Sequence, residues 1–401
     1  MHAIQRIPGP GQERGQGLGQ RQVVLDKQDA HDGASIGPIG QLRKGRLPGH
    51  SGVMRFLVLL LVLLAPAALA QQVVLPAPGP ESARIVIYSS LDTPQALPLI
   101  AAWQGTNPDT TVVYEDLLAS EIAARVEAET RAGQATADLV FLSAMDLAVK
   151  LANDGYAQPV DVPDAALWPD WANWRDTAFA LTAEPAVFVY YRPAFPEGAP
   201  LTRADLIRWL RATPEATIGT YDIARSAVGF LLHARDRAHF FDIGELTQAM
   251  GRAGVRLFPT SQDVIDRVAR GELAFGYNVL GAYAEDQAAR LPDLGVVRPR
   301  DFTVLLSRVA LVPQAAANPA GGTDFLAFLM SAEGQRLLAD RLRLSVVSPA
   351  FTGPASMAAL VASDGGWLRP VPVGPGLLAY LDQASRAAIL ADWTRALAEG
   401  P

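Results

Sequence analysis

After its first 83 residues, the chain alternates short apolar runs with segments of helical periodicity, and this alternation constrains the fold more than any other feature. A strand is predicted at Ile85–Tyr88, followed by a helix with Pro94 in its first turn and a break at Gly105. Further strands at Thr111–Tyr114 and Asp138–Leu142 enclose a second helix. This order predicts an α/β layer with a largely parallel sheet.

Two later apolar runs predict how the chain is divided. Ala186–Tyr191 has the continuous apolar character of a buried strand, and Val304–Val312 is a similar run. A second α/β series lies between them, so we predict two lobes between which the chain crosses twice. The predicted N-terminal lobe is residues 84–189 and 301–350, and the predicted C-terminal lobe is residues 190–300 and 351–401.

The first 70 residues belong to neither predicted lobe. Residues 1–53 are rich in Gly, Gln, Arg and Pro, and we interpret them as a disordered extension upstream of the true start. Met54–Ala70 has a basic residue, an apolar run and an Ala68-Leu69-Ala70 cleavage site, as in a secretory signal peptide. The alternative is a membrane anchor, but the apolar run of about 15 residues is shorter than the ~20 that a spanning helix needs. The sequence therefore predicts a periplasmic protein, with residues 71–83 as an extended tether.

Composition excludes several kinds of chemistry. The chain has no cysteine, which rules out disulfides, iron–sulfur clusters and thiol catalysis. Only His233 and His239 lie outside the leader, so histidine-rich metal sites are excluded as well. Residues 71–401 carry 26 Lys or Arg and 37 Asp or Glu, a balance that argues against a nucleic-acid partner. The common nucleophile, phosphate-loop, dinucleotide and zinc-protease motifs are absent, so we predict that the protein is not an enzyme and has no cofactor.

Polar residues follow the predicted strands, at the place where ligands bind in open parallel sheets. Turn formation explains such residues almost as well, because Ser and Asp are common in turns. The predicted ligand-binding residues at these strand ends are Ser89, Ser90, Asp92, Ser143, Tyr221, Asp222 and Asn278.

The start of one predicted helix has the features of an anion site. Arg225 and Ser226 stand where the chain leaves a strand and enters a helix, whose first N–H groups are unpaired and carry partial positive charge. A charge-assisted hydrogen bond there contributes about 1.5 to 3 kcal/mol. The alternative is an ordinary N-cap serine beside a surface arginine. We predict that both residues bind ligand.

Six segments occur in an order that resembles a known family. They are Ile85-Val86-Ile87-Tyr88-Ser89-Ser90, Ala137-Asp138-Leu139-Val140-Phe141, Val187-Phe188-Val189-Tyr190, Ile218-Gly219-Thr220-Tyr221, Arg270-Gly271-Glu272-Leu273-Ala274 and Ser331-Ala332-Glu333-Gly334-Gln335-Arg336. Together they resemble the periplasmic solute-binding proteins of ABC transporters, in the group that includes the ferric-ion-binding proteins. The stretch at residues 219–230 is similar to the phosphoglycerate-type regulatory binding proteins of that group. The resemblance implies an α/β, two-lobed type II periplasmic binding protein fold with a ligand cleft between the lobes.

The iron-binding members of this group use two adjacent tyrosines, a histidine and a glutamate, and this chain departs from that pattern. Asn278-Val279-Leu280 stands in place of the tyrosines, Asp92 in place of the histidine and Ala144 in place of the glutamate. We therefore predict no metal site, and ferric iron is the weakest of the ligand hypotheses.

The resemblance and the predicted anion site together give a functional hypothesis. We predict a monomer that captures a small organic anion, phosphorylated or carboxylated, and delivers it to an ABC permease in the inner membrane. One alternative stays open, which is that the loaded protein signals to a membrane sensor kinase, as the regulatory relatives do.

Overall fold

The computed structural model describes residues 71–364 and 366–398, and within these residues the strands form two sheets. The predicted signal peptide and upstream extension lie outside the described residues. The strands are β1 (Gln71–Leu75), β2 (Ala83–Ser89), β3 (Thr110–Asp116), β4 (Leu139–Leu142), β5 (Asn173–Trp174), β6 (Ala178–Ala180), β7 (Thr182–Tyr191), β8 (Ile218–Tyr221), β9 (Arg256–Phe258), β10 (Phe275–Leu280), β11 (Leu294–Val297), β12 (Thr303–Leu306), β13 (Val309–Leu311), β14 (Ser345–Val346) and β15 (Leu368–Pro370).

The helices lie mostly between consecutive strands, as the sequence predicts. They are α1 (Thr93–Thr106), α2 (Ala119–Arg131), α3 (Met145–Asn153), α4 (Arg203–Ala212), α5 (Ala227–His239), α6 (Ile243–Arg252), α7 (Ser261–Ala269), α8 (Gly281–Ala288), α9 (Pro319–Met330), α10 (Ala332–Leu342), α11 (Met357–Asp364) and α12 (Gln383–Ala398). Among the described residues, no helix has the length and apolar character needed to span a bilayer.

The first lobe is built on a sheet with the strand order β1-β3-β2-β4-β13-β6-β5. Strand β2 pairs in parallel with both β3 and β4, and α1 and α2 make the connections between these strands. All four residues of β4 are buried, because helices and neighbouring strands cover it on every side. This is the parallel α/β layer that the alternation predicts.

The second lobe is built on a sheet with the order β15-β12-β7-β10-β8-β9, in which β11 and β14 also pair with β7. Its parallel part is β10-β8-β9, with α5 and α6 between β8 and β9 and α7 between β9 and β10. Strand β7 is antiparallel to β10 and β12, and its first eight residues are buried.

Strands connect the lobes at two places, which confirms the predicted two-lobed fold. Only Leu181 separates β6 of the first sheet from β7 of the second, and only Ser307 and Arg308 separate β12 from β13. The lobe boundaries differ from the predicted ones, however, because residues 182–189 and 303–306 belong to the second sheet. An apolar run that is buried on both faces gives no signal of the sheet with which it pairs.

The predicted tether at residues 71–83 also requires correction. Its first five residues form β1, which pairs antiparallel with β3 in the register Gln71 to Asp116. The prolines at 76, 78 and 80 favoured an extended tether, but the apolar residues before them complete the edge of the first sheet.

The C-terminal segment contacts both lobes, although the prediction assigned it to the second lobe alone. The backbone N–H of Val373 donates to Trp171 in the first lobe, and the 3-10 helix Pro375–Leu381 packs against α3 there. Helix α12 then returns to the second lobe and packs against α6. We call residues 371–398 the C-terminal strap.

Candidate ligand-binding cleft

A cavity of about 520 Å³ lies between the two lobes. The strands β2, β3, β4, β8, β9 and β10 end at or beside it, so it occupies the carboxyl edge of both sheets, where ligands bind in open α/β folds. Among the polar and charged side chains that line it are Ser90, Asp92, Asp116, Glu121, Ser143, Tyr221, Arg225, Ser226, Thr260, Ser261, Tyr283 and Arg308.

Several helices begin at this cavity, because each of them follows a strand that ends there. The N-cap residues of five helices in the described part of the chain line it: Asp92, Leu118, Ser226, Thr260 and Leu280. A helix start has unpaired N–H groups and the positive end of the helix dipole. The backbone alone therefore makes the cleft favourable for negative charge.

The start of α5 contributes the cation that the sequence predicts. Ser226 caps the helix by accepting a hydrogen bond from the N–H of Gly229 at 3.2 Å. Arg225 lines the cavity and is exposed, and within residues 71–364 and 366–398 its guanidinium has no ion-pair or hydrogen-bond partner. The N–H groups of Ala227 and Val228, in the first turn, are likewise free to face a ligand.

The start of α7 lies opposite the first lobe and is held by a buried hydroxyl pair. Thr260 caps the helix by accepting from the N–H of Asp263 at 3.1 Å. The hydroxyl of Ser261 accepts from the N–H of Leu280 at 2.9 Å and shares a hydrogen bond with the hydroxyl of Tyr221. Burial raises the pKa of Tyr221, so its hydroxyl stays protonated and fixes α7 against β8 and β10.

Two predicted serines of the first lobe line the cavity, and they contact each other. The hydroxyl oxygens of Ser90 and Ser143 are 3.2 Å apart, and the Ser90 oxygen accepts from the N–H of Ser143 at 3.0 Å. This bond holds the ends of β2 and β4 together at the cleft wall.

Two neighbouring carboxylates, Asp92 and Asp116, add negative charge to the first-lobe wall of the cavity. Asp116 accepts from the N–H and hydroxyl of Thr93, at 2.9 and 3.3 Å, and so serves the start of α1. Asp92 precedes that helix but makes no side-chain cap, and its nearest polar contact is the Tyr283 hydroxyl at 3.5 Å. Burial raises the pKa of Asp92, the nearby Asp116 adds to the increase, and Arg308 opposes it.

Arg308 is the main residue that the sequence analysis missed. It is fully buried between the lobes, where its Nη atoms donate to the carbonyl of Ser90 at 3.0 Å and to the hydroxyl of Tyr283 at 3.1 Å. Its Nε atom is 3.0 Å from Glu184 Oε1 on β7. Arg308 therefore joins the first lobe, the second lobe and the connection between them. An arginine within the apolar run 304–312 was the available signal.

Three predicted site residues do not line the cavity. Ser89 is fully buried, donating to the carbonyl of Phe141 at 2.9 Å and accepting from the N–H of Leu91 at 3.1 Å. Asp222 accepts from the N–H of Ala224 at 3.1 Å and so stabilises the turn before α5.

Asn278 is the third, and it belongs to a buried network. It has a left-handed backbone with φ of 55°, and its amide donates to the buried Asp236. Arg203 donates to the other oxygen of Asp236 at 2.8 Å, so the network is structural. The six predicted residues that do line the cavity are Ser90, Asp92, Ser143, Tyr221, Arg225 and Ser226, and their contact with ligand stays a prediction.

Two of the positions that match iron ligands are apolar in this fold. Ala144 and Val279 are fully buried and apolar, and within the described residues no group of three or more His, Cys, Asp or Glu side chains could hold a metal ion.

Comparison with known proteins places this chain among binding proteins. Residues 99–362 match the profile of the bacterial extracellular solute-binding protein family. Comparison with curated protein sequences finds no match. The substrate-binding protein of the ABC transporter from Agrobacterium tumefaciens has 50% identity and a TM-score of 0.80, over 82% of this chain and 99% of that one.

Two more distant structures share the fold. The periplasmic binding protein AfuA from Actinobacillus pleuropneumoniae, with fructose-6-phosphate bound, has 15% identity and a TM-score of 0.65, over 79% of this chain and 99% of that one. Iron-bound HitA from Pseudomonas aeruginosa has 14% identity and a TM-score of 0.61, over 78% of this chain and 99% of that one. The chain therefore belongs to the bacterial extracellular solute-binding proteins, the family of periplasmic binding proteins that serve ABC transporters, and it is a binding protein and not an enzyme.

Proposed function

We propose that the protein captures a small organic anion, phosphorylated or carboxylated, between its lobes and delivers it to an ABC permease of the inner membrane. The observation that carries this proposal is the unpaired guanidinium of Arg225 beside the free N–H groups of Ala227 and Val228. Each of these groups donates hydrogen bonds. The guanidinium carries a full positive charge, and the N–H groups carry partial positive charge. An anion is the ligand that satisfies all of them at once.

The start of α7 supports the same ligand class. The N–H groups of Ser261 and Gln262 are in its first turn and line the cavity, close to the start of α5 in the same lobe. Two helix starts that face one space each add about 0.3 to 1 kcal/mol for an anion at exposed sites. The fructose-6-phosphate bound to AfuA is a phosphorylated anion in a protein of the same fold.

Removal of the Arg225 side chain tests the proposal. Arg225→Ala should lower affinity for an organic phosphate or carboxylate about 10- to 150-fold, the loss of one charge-assisted hydrogen bond. Arg225→Lys keeps the charge but loses the two-pronged geometry, so its affinity should fall between those of wild type and Arg225→Ala. Titration calorimetry with a panel of organic phosphates and carboxylates measures these changes.

Arg341→Ala is a matched control, because Arg341 is an exposed arginine on α10, away from the cavity. It removes the same charge and should leave affinity unchanged. Equal affinity of Arg225→Ala and wild type would remove Arg225 from the site.

Delivery to a permease is tested in cells. A strain that lacks the protein should lose uptake of the captured anion. Retained uptake with a lost transcriptional response to that anion would instead support the sensor-kinase partner.

A further inference from the structure

Charge is distributed unequally across the cavity. The second lobe contributes Arg225 and the free N–H groups of α5 and α7. The first lobe contributes three carboxylates, Asp92, Asp116 and Glu121. A ligand that spans the cavity therefore has a positive wall on one side and a negative wall on the other.

Arg308 lies near the negative wall but does not neutralise it. Arg308 interacts electrostatically with Asp92, Asp116 and Glu184. Its Nε atom is 3.0 Å from Oε1 of Glu184, which is 1% exposed, and its Nη atoms donate to Ser90 and Tyr283. One guanidinium thus interacts with Asp92, Asp116 and Glu184 together, so the wall formed by Asp92, Asp116 and Glu121 keeps an excess of negative charge.

Asp92 is the carboxylate of this wall with the most unused hydrogen-bonding capacity. Asp116 accepts a hydrogen bond from the N–H of Thr93 at 2.9 Å, and Glu121 accepts one from the N–H of Leu118 at 3.1 Å. Both carboxylates therefore have a donor nearby in the chain. Among the residues that the structure describes, Asp92 has only the long hydrogen bond from Tyr283, and it lines the cavity. A purely anionic ligand would bring a like charge toward this carboxylate, which costs free energy in a partly desolvated cleft.

From these contacts we infer that the ligand is dipolar, with its anionic group at Arg225 and the starts of α5 and α7, and with a protonated amine paired with Asp92. The chemical class is a small phosphate, phosphonate or carboxylate that carries an amine at its other end. This inference rests on the proposed function, because it assigns the second end of the same ligand.

Isosteric probes test the inference. Phosphoethanolamine and propyl phosphate differ by an ammonium in place of a methyl group, and so do 4-aminobutyrate and pentanoate. In titration calorimetry, the amine-bearing probe of the pair that binds should have at least ~10-fold higher affinity than its isostere, as expected for one charge-assisted hydrogen bond. Asp92→Asn should weaken the amine-bearing probe and strengthen its isostere, so that the preference disappears.

Asp109→Asn is the matched control for loss of one negative charge. Asp109 is exposed just before β3, at the opposite end of that strand from the cleft, and its variant should keep the wild-type preference. Thermal unfolding of both variants shows that each is folded.

Two outcomes contradict different parts of the argument. Equal or tighter binding of the amine-free probe by the wild-type protein would overturn the dipolar ligand and leave the anion site intact. Binding of none of the four probes would count against the proposed function itself, and the inference would fail with it.

Discussion

The buried pair Arg308 and Glu184 joins the lobes through two side chains that are almost completely out of water. A buried ion pair adds little when it is intact, but removal of one partner leaves an uncompensated charge that costs about 3 to 5 kcal/mol. Arg308→Met should therefore lower the free energy of unfolding by about that amount, measured by urea denaturation.

Two comparisons make this prediction specific. The double variant Arg308→Met/Glu184→Leu should recover most of the stability, because it removes both members of the buried pair. Arg211→Met, which breaks the exposed pair with Glu245, should cost less than about 1 kcal/mol. A single variant as stable as wild type would show that water reaches Glu184.

His233 links stability to pH. It is buried on α5 against the ring of Trp393, and burial, aided by Arg237, lowers its pKa to about 4. In the unfolded chain this histidine binds a proton near pH 6.5, whereas in the folded protein it stays neutral down to about pH 4. The stability that the neutral buried ring contributes is therefore fully present above pH 6.5 and is lost as the pH falls toward 4. Wild type should lose about 3 kcal/mol from this group over that range.

His233→Gln isolates this contribution. The difference in unfolding free energy between wild type and His233→Gln should be constant above pH 7 and should shrink steadily from pH 6.5 to 4. A difference that does not depend on pH would contradict the lowered pKa.

At the residue level, sequence patterns predict groups whose environment is local. Arg225 and Ser226 follow from the start of one helix, and Ser226 is indeed its N-cap. Arg308 depends on which strands become neighbours, and Asn278 depends on a buried network that includes the distant Arg203. Neither arrangement leaves a periodic signal in the sequence. Arg308 was therefore not predicted, and Asn278 was wrongly predicted to line the cleft.

At the element level, the alternation of strands and helices predicts the parallel part of both sheets, because the hydrophobic period is fixed by local geometry. It fails where an element is defined by its partner. Strand β1 exists because β3 offers an open edge, and β7 joins the second sheet although its sequence suits either sheet.

The packing of α12 on α6 depends on one glycine. A Cβ atom at Gly251 would lie 2.4 Å from the backbone oxygen of Leu397, so the two helices can approach only without a side chain there. Gly251→Ala should cost about 1 to 3 kcal/mol, as overpacking does. Chemical denaturation measures the loss.

Gly244 on the same helix is the matched control, because nothing lies within 4 Å of a Cβ atom at that position. Gly244→Ala should be neutral or stabilise the protein by up to about 1 kcal/mol. If both variants behaved alike, helix propensity would explain the result and close packing would not.

At the level of the whole molecule, we expect the cleft to close by movement of one lobe relative to the other about the connections between them. The chain has no cysteine, so Ala124→Cys on α2 and Arg256→Cys on β9 would be the sole labelling sites for a distance measurement. Addition of phosphoethanolamine should shorten and narrow the distance distribution, because ligand contacts on both lobes favour the closed state.

Arg225→Ala in the same labelled protein should need a higher phosphoethanolamine concentration for the same change. A distance that phosphoethanolamine leaves unchanged at saturation would contradict closure by lobe movement.

We expect the C-terminal strap to restrict this movement of the lobes, because it contacts both of them. It contacts the first lobe through Val373 and the second through α12, so it connects the lobes in addition to β6–β7, β12–β13 and the passage of the chain from α10 to β14. Because the stiffnesses of parallel connections add, we expect the strap to narrow the range of lobe angles in the empty protein. A narrower range would leave less orientational entropy to lose when the cleft closes, so we expect the strap to favour the loaded form, although none of its residues lines the cavity.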